Sequence, residues 1–177
     1  MNNYFGQLYL DLCEYLKTVV PELRWIDQDF GQLEHFEVRP EVSFPCCLID
    51  FVSASYSGLS NLAQIGEVVV NIRLGFAPFS QSYHAAPMNV KEKALEFYDV
   101  EQKVYEALQG WSPVKDNDNY TQPFYRQSAM TEQRDGDRIG LRVRVLSFGT
   151  QFEDNTAKGI YRKVAKPPLQ FDETQIQ

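Results

Sequence analysis

The chain contains few of the residues from which covalent cross-links and metal sites are built. It has three cysteines and two histidines among 177 residues. A small, odd number of cysteines argues against a disulfide framework and indicates a reducing compartment. Cys46 and Cys47 are adjacent in a predicted strand, so their side chains should point to opposite faces and should not chelate one ion together. We expect these two residues and Cys13 to be small buried hydrophobic residues, and we expect no metal site and no cofactor.

The signatures of membrane proteins and of common enzyme classes are missing too. No apolar run approaches the roughly 18–20 residues of a membrane-spanning helix, and the first residues lack the basic region of a secretory signal. There is no phosphate-binding glycine-rich loop, no Rossmann fingerprint and no Gly-x-Ser-x-Gly nucleophile elbow. His84 has no nucleophile or acid at a marked spacing, which favours a surface histidine over a catalytic base. The sequence therefore predicts neither an enzyme nor a membrane protein.

An excess of positive charge is also absent, whereas aromatic residues are abundant. Seventeen Lys and Arg against 24 Asp and Glu give a net charge of −7, which disfavours a broadly basic or sequence-specific nucleic-acid binder. Ten Tyr, twelve Phe and two Trp give an aromatic content of 14%, and Tyr is enriched where a surface becomes an interface. Several aromatic residues fall in predicted loops, near a strand start or in the C-terminal tail: Tyr56, Phe79, Tyr83, Tyr120, Phe124, Tyr125, Tyr161 and Phe171. This surplus indicates a subunit that completes the burial of its surface on assembly.

Two segments have the apolar spacing of amphipathic helices. The first begins near Phe5 and ends before Pro21, and the second runs from about Lys91 to Gln109, with Gly110 placed to terminate it. We expect the tyrosines on these helices to lie in the core: Tyr15, Tyr98 and Tyr105.

The remaining periodicities predict strands and one loop. Strands are predicted over the apolar segment 46–52, the alternating segment 67–76 and two hairpin arms, 124–133 and 138–152. Short extended pieces are predicted within 23–30 and 33–38, with their pairing left open, and the Ser-rich segment 53–66 is predicted to be a mobile loop.

This order of elements predicts the architecture of one α+β domain. We expect an antiparallel β-sheet of two long hairpins plus short strands, with two main α-helices packed on one face. The domain should span residues 1–154, and residues 155–177 should form an extended basic tail containing prolines.

Eight residues are candidates for a subunit or partner interface. They are Tyr56, Phe79, Tyr83, Arg142, Arg144, Tyr161, Arg162 and Lys163. Arg142 and Arg144 should project from one face of a strand, either as a solvated face with carboxylate partners such as Glu132 or as a subunit contact or ring lining. The basic tail is either a solubilising terminus or an arm that engages a neighbour.

The element order resembles that of a known family. A first helix is followed by the strand Phe44-Pro45-Cys46-Cys47-Leu48-Ile49-Asp50-Phe51 and by the alternating strand from Glu67 to Phe76. The second helix ends Ala107-Leu108-Gln109-Gly110-Trp111-Ser112-Pro113, and a closing hairpin ends Val145-Leu146-Ser147-Phe148. Over roughly residues 4 to 153 the chain looks like the tail-terminator, or tail-completion, proteins of long-tailed bacteriophages and prophages.

The resemblance implies a structural role in a virion. Family members form a ring, commonly of six subunits, which caps the tail tube and joins it to the head connector. It therefore implies as partners other copies of the chain, a tail-tube protein and a head-completion protein. It implies a place in the virion tail after assembly in the host cytoplasm, with no cofactor and no catalytic residue.

Two alternatives from other classes remain at this stage. One alternative is a related neck, tube or baseplate component of the same fold, or a non-viral interaction module. A small-molecule enzyme that uses the loop around His84 is the less favoured reading, and fold alone does not separate these possibilities.

Overall fold

The computed structural model of the chain describes residues 3–35, 42–77, 80–113, 121–132 and 140–159. These residues form two α-helices, five β-strands and one short 3-10 helix. In chain order the elements are α1 (Tyr4–Val19), β1 (Trp25–Gln28), β2 (Cys46–Ser60), β3 (Ala63–Phe76), α2 (Met88–Leu108), β4 (Tyr125–Thr131), β5 (Arg142–Asp154) and η1 (Thr156–Gly159).

The five strands form one sheet in the order β1-β2-β3-β5-β4. β1 runs parallel to β2, and the other neighbouring strands are antiparallel. β2 and β3 are joined by a turn at Asn61 and Leu62, and β4 pairs with β5. The predicted α+β fold, with two hairpins and two main helices, is confirmed.

Both helices pack on the same face of the sheet. α1 contributes Leu8, Leu12 and Leu16 to the main core, and α2 contributes Val104 and Leu108. They meet the alternate residues of β3 that the period-two pattern had marked as apolar: Val68, Val70, Ile72, Leu74 and Phe76. The amphipathic periods of helix and strand thus converge on one core because each element has a single apolar side to bury.

The end of α2 is fixed against the start of β4. Gly110 has a φ of 80°, the left-handed conformation that glycine adopts most readily, and its N–H donates to the carbonyl of Phe124 at 2.8 Å. The Trp111 ring then stacks on Tyr15 of α1, with centroids 5.0 Å apart. The predicted glycine termination is confirmed, and it holds three elements together at this end of the sheet.

The two adjacent cysteines lie on opposite faces of β2, as predicted. Cys47 belongs to the main core, and Cys46 belongs to a smaller cluster on the other face with Leu33, Leu48 and Val143. Both are fully buried, whereas Cys13 is half-buried.

The predicted mobile loop over residues 53–66 is wrong. β2 continues through this segment to Ser60, and β3 begins at Ala63, with register pairs such as Ser55 to Glu67 and Tyr56 to Gly66. The strand cannot be recognised from its sequence, because the serines occupy exposed positions at which no alternation of apolar residues is needed. Pairing with β3 determines the conformation instead.

Three further expectations are corrected. β1 pairs with the main sheet, but residues 33–35 form part of a turn rather than a strand, and residues 36–38 lie outside the described residues. Phe124 is buried in the main core and is not part of the surface surplus. Tyr98 is 45% exposed and lies outside the core, whereas Tyr15 and Tyr105 are half-buried against it.

Candidate assembly surfaces

The hairpin of β2 and β3 carries an exposed surface without charge. Residues 51–66 contain no Asp, Glu, Lys or Arg, and we call them the uncharged hairpin. Every residue from Val52 to Ser60 is exposed. Four large apolar side chains in this hairpin are 37–53% exposed: Val52, Tyr56, Leu59 and Leu62. Such a concentration is typical of a surface that another molecule covers.

Tyr56, a predicted interface residue, lies in this hairpin with only part of its ring covered. Its ring meets Phe152 edge-on at a centroid distance of 6.1 Å. Phe152 in turn stacks on Tyr4 at 3.6 Å, and burial raises the pKa of Tyr4 to about 12. The stacked rings of Phe152 and Tyr4 thus support part of the Tyr56 ring, and Tyr56 stays 47% exposed.

The outer edge of β2 is open beyond its first residues. β1 pairs only with residues from Cys46 to Ile49 of β2. In the part of the chain that the structure describes, no strand pairs with this outer edge from Asp50 onward, whereas the other edge of β2 pairs with β3. Exposed strand edges are usually protected by charged side chains, and this edge has none after Asp50.

A second apolar surface surrounds the start of α2. Tyr83, another predicted interface residue, lies in the loop before the helix, and Met88, Leu95 and Tyr98 follow on α2. These four side chains are 44–68% exposed, and we call them the α2 entry surface. Residues 74–90 also lack Asp, Glu, Lys and Arg. Segments 51–66 and 74–90 are the two longest parts of the sequence without these residues.

Arg142 and Arg144 lie on the helix face of the sheet rather than on its open face. Arg144 donates to both carboxylate oxygens of Glu101 on α2, at 2.6 and 2.8 Å, and to the Thr131 hydroxyl at 2.8 Å. These bonds to Glu101 raise the pKa of Arg144. Arg142 lies over the Phe97 ring, 5.5 Å from its centroid. The charge of Arg144 is therefore paired within the chain.

The predicted partner Glu132 binds a different arginine, Arg73 of β3. The Arg73 guanidinium donates to Glu132 at 2.9 and 3.0 Å, to Asp29 at 2.5 Å and to Glu34 at 2.5 Å. Burial lowers the pKa of Arg73, but the bonds to the three carboxylates outweigh it and raise the pKa above its usual value. One arginine with three carboxylates leaves this cluster with two net negative charges.

On the face of the sheet away from the helices, the buried apolar cluster with Leu48 and Val143 lies at one end, and polar and acidic side chains lie nearer the hairpin. Asn71 and Ser147 are opposite each other and hydrogen-bonded at 2.6 Å. Gln151 donates to Glu67 at 2.7 Å. Asp50 and Glu153 lie on the same face by register, opposite Asn71 and Ile65. This surface would repel a polyanion rather than bind it.

Half of the predicted interface residues cannot be placed. Phe79, Tyr161, Arg162 and Lys163 lie outside the described residues. The structure brings Arg142 and Arg144 together, but it separates Tyr56 and Tyr83 at opposite ends of the sheet. Sequence reasoning missed Leu59, Leu62, Met88 and Leu95. For the first three the available signal was the absence of charged residues in the segments around them, whereas Leu95 lies among charged residues.

Two features of the described residues bear on chemistry. None of their helices is long and apolar enough to cross a membrane. No group of three or more His, Cys, Asp and Glu side chains among them is arranged to hold a metal ion.

Comparison with known proteins yields likenesses of fold to solved structures. No family model and no curated protein sequence matches the chain. Among 26 matching chains of solved structures is one described as "Virion of native gene transfer agent (GTA) particle". It is 12% identical, with a TM-score of 0.50, and the alignment covers 87% of this chain and 100% of that chain. At this identity the likeness shows a common fold.

Proposed function

We propose that the chain is a structural virion protein of the tail-terminator type. Copies of it would close into a ring that caps the tail tube and joins it to the head connector. The observation that carries the proposal is the fold likeness to a chain of a gene transfer agent virion, whose whole length aligns here. The element order that resembles tail terminators supports the same role.

The surfaces of the described residues fit a subunit that associates with others. Exposed apolar side chains occur both on the uncharged hairpin and on the α2 entry surface. A ring needs two different complementary surfaces on each subunit, because its contacts are heterologous. The resemblance suggests six copies, with a tail-tube protein on one side of the ring and a head-completion protein on the other. The location would be the virion tail, assembled in the bacterial cytoplasm.

The acidic sheet face would line the channel of the ring. Its carboxylates would keep the passing DNA from adhering, since like charges repel at short range. Replacing Glu67 and Glu153 with lysine should leave ring formation intact and slow DNA passage, measured as the rate of genome release. Unchanged release from rings that contain both lysines would contradict the channel assignment.

Deletion of the gene in its own phage or prophage tests the role itself. If the chain caps the tube, tubes should grow to irregular, excessive length and should lack heads, as counted in negative-stain micrographs. A plasmid copy should restore normal particles. Tails of normal length with heads attached would refute a terminator role, and absent tubes would favour a tube or baseplate component instead.

A further inference from the structure

We infer that the uncharged hairpin of one copy docks on the α2 entry surface of a second copy of this chain. The inference deepens the proposed function, because it names the two surfaces through which subunits meet. It rests on three observations of the described residues: where the two surfaces lie, what they expose and how charge is distributed around them.

The two surfaces lie at opposite ends of the molecule. β3 begins at the hairpin turn and runs 14 residues to Phe76, a length of about 45 Å at 3.3 Å per residue. The Phe97 ring of α2 packs on Phe76 at 5.6 Å, and Trp111 beyond the end of α2 packs on Phe124 at 5.4 Å. α2 therefore runs back along β3, and its first turn near Met88 extends past the end of β3 that is remote from the hairpin.

This placement makes the contact heterologous. Each copy has one hairpin and one entry surface, and the two are too far apart to meet within a single chain. A hairpin that docks on the next copy leaves a free surface at each end of the pair, so the contact propagates until rotation closes it into a ring.

The charge distribution favours a second copy as the occupant. Each chain has a net charge of −7, so two copies repel one another unless they meet where charge is absent. The hairpin and the first part of the entry surface, Tyr83 and Met88, lie in the two longest segments without charged residues. A basic partner would instead be drawn to the acidic sheet face, where Glu67 and Asp50 lie.

The side chains on each surface also suit one another. The hairpin exposes Tyr56, Leu59 and Leu62, and the entry surface exposes Tyr83 and Met88. Tyr and Met are enriched in the cores of protein interfaces, from which charged residues are depleted. Lys91, Glu92 and Asp99 lie among the helical residues of the entry surface. The carboxylates nearest the hairpin are those of Glu67, Glu153 and Asp154, which lie beside Ser55, Ile65 and Gln64.

Charge insertion with mixing of variants tests the inference on the purified full chain. Leu59→Glu places a charge in the hairpin, and Met88→Glu places one in the entry surface. Leu10→Glu on α1 is the matched control, because Leu10 is 49% exposed and belongs to neither surface. Sedimentation velocity should show concentration-dependent oligomers for the wild type and for Leu10→Glu. Each of the other two variants should weaken self-association about tenfold or more.

An equimolar mixture of Leu59→Glu and Met88→Glu gives the decisive result. The intact hairpin of one variant can meet the intact entry surface of the other, so heterodimers should form and should not grow further. Since the side chains that dock carry no charge, wild-type association should hold or strengthen when salt rises from about 50 to about 500 mM and screens the repulsion between copies.

Three outcomes would overturn the inference. They are a wild type that stays monomeric at every concentration, single variants that associate as the wild type does, and a mixture that stays monomeric. Each is distinguishable from failure of the proposed function, which is read from tail length in particles. A chain that associates as inferred but leaves tail length unaffected would retain this contact and lose the terminator role.

Discussion

At the scale of single residues, Gly66 provides the space in which the Phe152 ring lies. A Cβ atom at Gly66 would be 2.5 Å from Cζ and 2.6 Å from Cε1 of that ring. The Phe152 ring also stacks on Tyr4 at 3.6 Å and is almost fully buried. The ring therefore cannot easily move to make room for a methyl group at position 66.

Gly66→Ala is therefore expected to destabilise the fold by about 2–3 kcal/mol through overpacking. Gly58→Ala in the same hairpin is the matched control, because nothing lies within 4 Å of a Cβ there. Urea denaturation measures both. The double variant Gly66→Ala with Phe152→Leu should lose less stability than the sum of the losses of the two single variants. Equal losses of stability in Gly66→Ala and Gly58→Ala would show that the Phe152 ring moves to make room.

The Cys46 thiol makes the stability of the fold depend on pH in the alkaline range. Burial raises the pKa of the Cys46 thiol from 9.0 to about 11, so the folded state keeps the proton that the unfolded chain loses. The stability that this raised pKa contributes to the folded state is fully present below pH 9 and is lost as the pH rises to 11. This amounts to about 3 kcal/mol over that interval.

The stability of Cys46→Ala should consequently fall less steeply between pH 9 and 11 than that of the wild type. Denaturant titrations at several pH values measure the two slopes, and the pH 7 values separate the cost of lost packing. Parallel slopes would mean that the Cys46 thiol ionises without unfolding the chain.

At the scale of elements, an ion pair fixes α2 to β5. Glu101 and Arg144 have side chains only 11% and 15% exposed and share two hydrogen bonds. Glu101 lies on the buried side of its helix, where an aliphatic residue would fit the amphipathic pattern. A carboxylate there is tolerable because the arginine satisfies it.

Arg144→Met should cost about 2–3 kcal/mol, since it leaves the Glu101 carboxylate buried without its cation. The double variant Arg144→Met with Glu101→Leu should recover most of that loss, which a thermal unfolding series can measure. The exposed pair of Lys103 with Glu22 is the control, and Lys103→Met should have a much smaller effect. No recovery in the double variant would indicate that Arg144 acts through other contacts.

At the scale of the whole molecule, the C-terminal segment is the feature that lies beyond the predicted domain. The structure describes its first residues as η1, which contacts β3 and begins where Asp154 accepts hydrogen bonds from the Thr156 N–H and hydroxyl. The predicted domain boundary at residue 154 stays a prediction. A truncation that leaves these hydrogen bonds intact removes residues 160–177 rather than residues 155–177.

Removal of residues 160–177 should leave the melting temperature within about 2 °C of the full chain, if they pack on no core. It should weaken assembly if they act as an arm. The full-length variant Arg162→Glu with Lys163→Glu separates the effect of charge from that of length. Loss of soluble folded protein on truncation would show instead that the segment belongs to the domain.

The sequence predicted the elements that have a strong apolar period. α1, α2 and β3 alternate apolar and polar residues at 3.6 or 2 residues because each buries one side, and Gly110 marks the end of α2 by its backbone conformation. The distal half of β2 has no such period, because both of its sides are exposed and its conformation comes from pairing with β3.

The candidate surfaces were predicted only in part. Tyr56 and Tyr83 were identified because an aromatic ring outside a periodic element suggests an interface. Arg144 was assigned to an open face because alternation along a strand shows which residues share a side, but not which side the helices cover. That choice depends on how α2 packs, and it pairs Arg144 with Glu101, which is 43 residues away along the chain.

The sequence by itself determined the class of fold, the two apolar helix faces, the alternation of β3 and β5 and the opposite directions of Cys46 and Cys47. These follow from local periodicity and from single-residue conformational limits. Only the tertiary structure decided which sheet face is acidic and open, which arginine Glu132 binds, and that two uncharged segments lie at opposite ends of the molecule. Such properties depend on contacts between residues far apart in the chain, which no local pattern encodes.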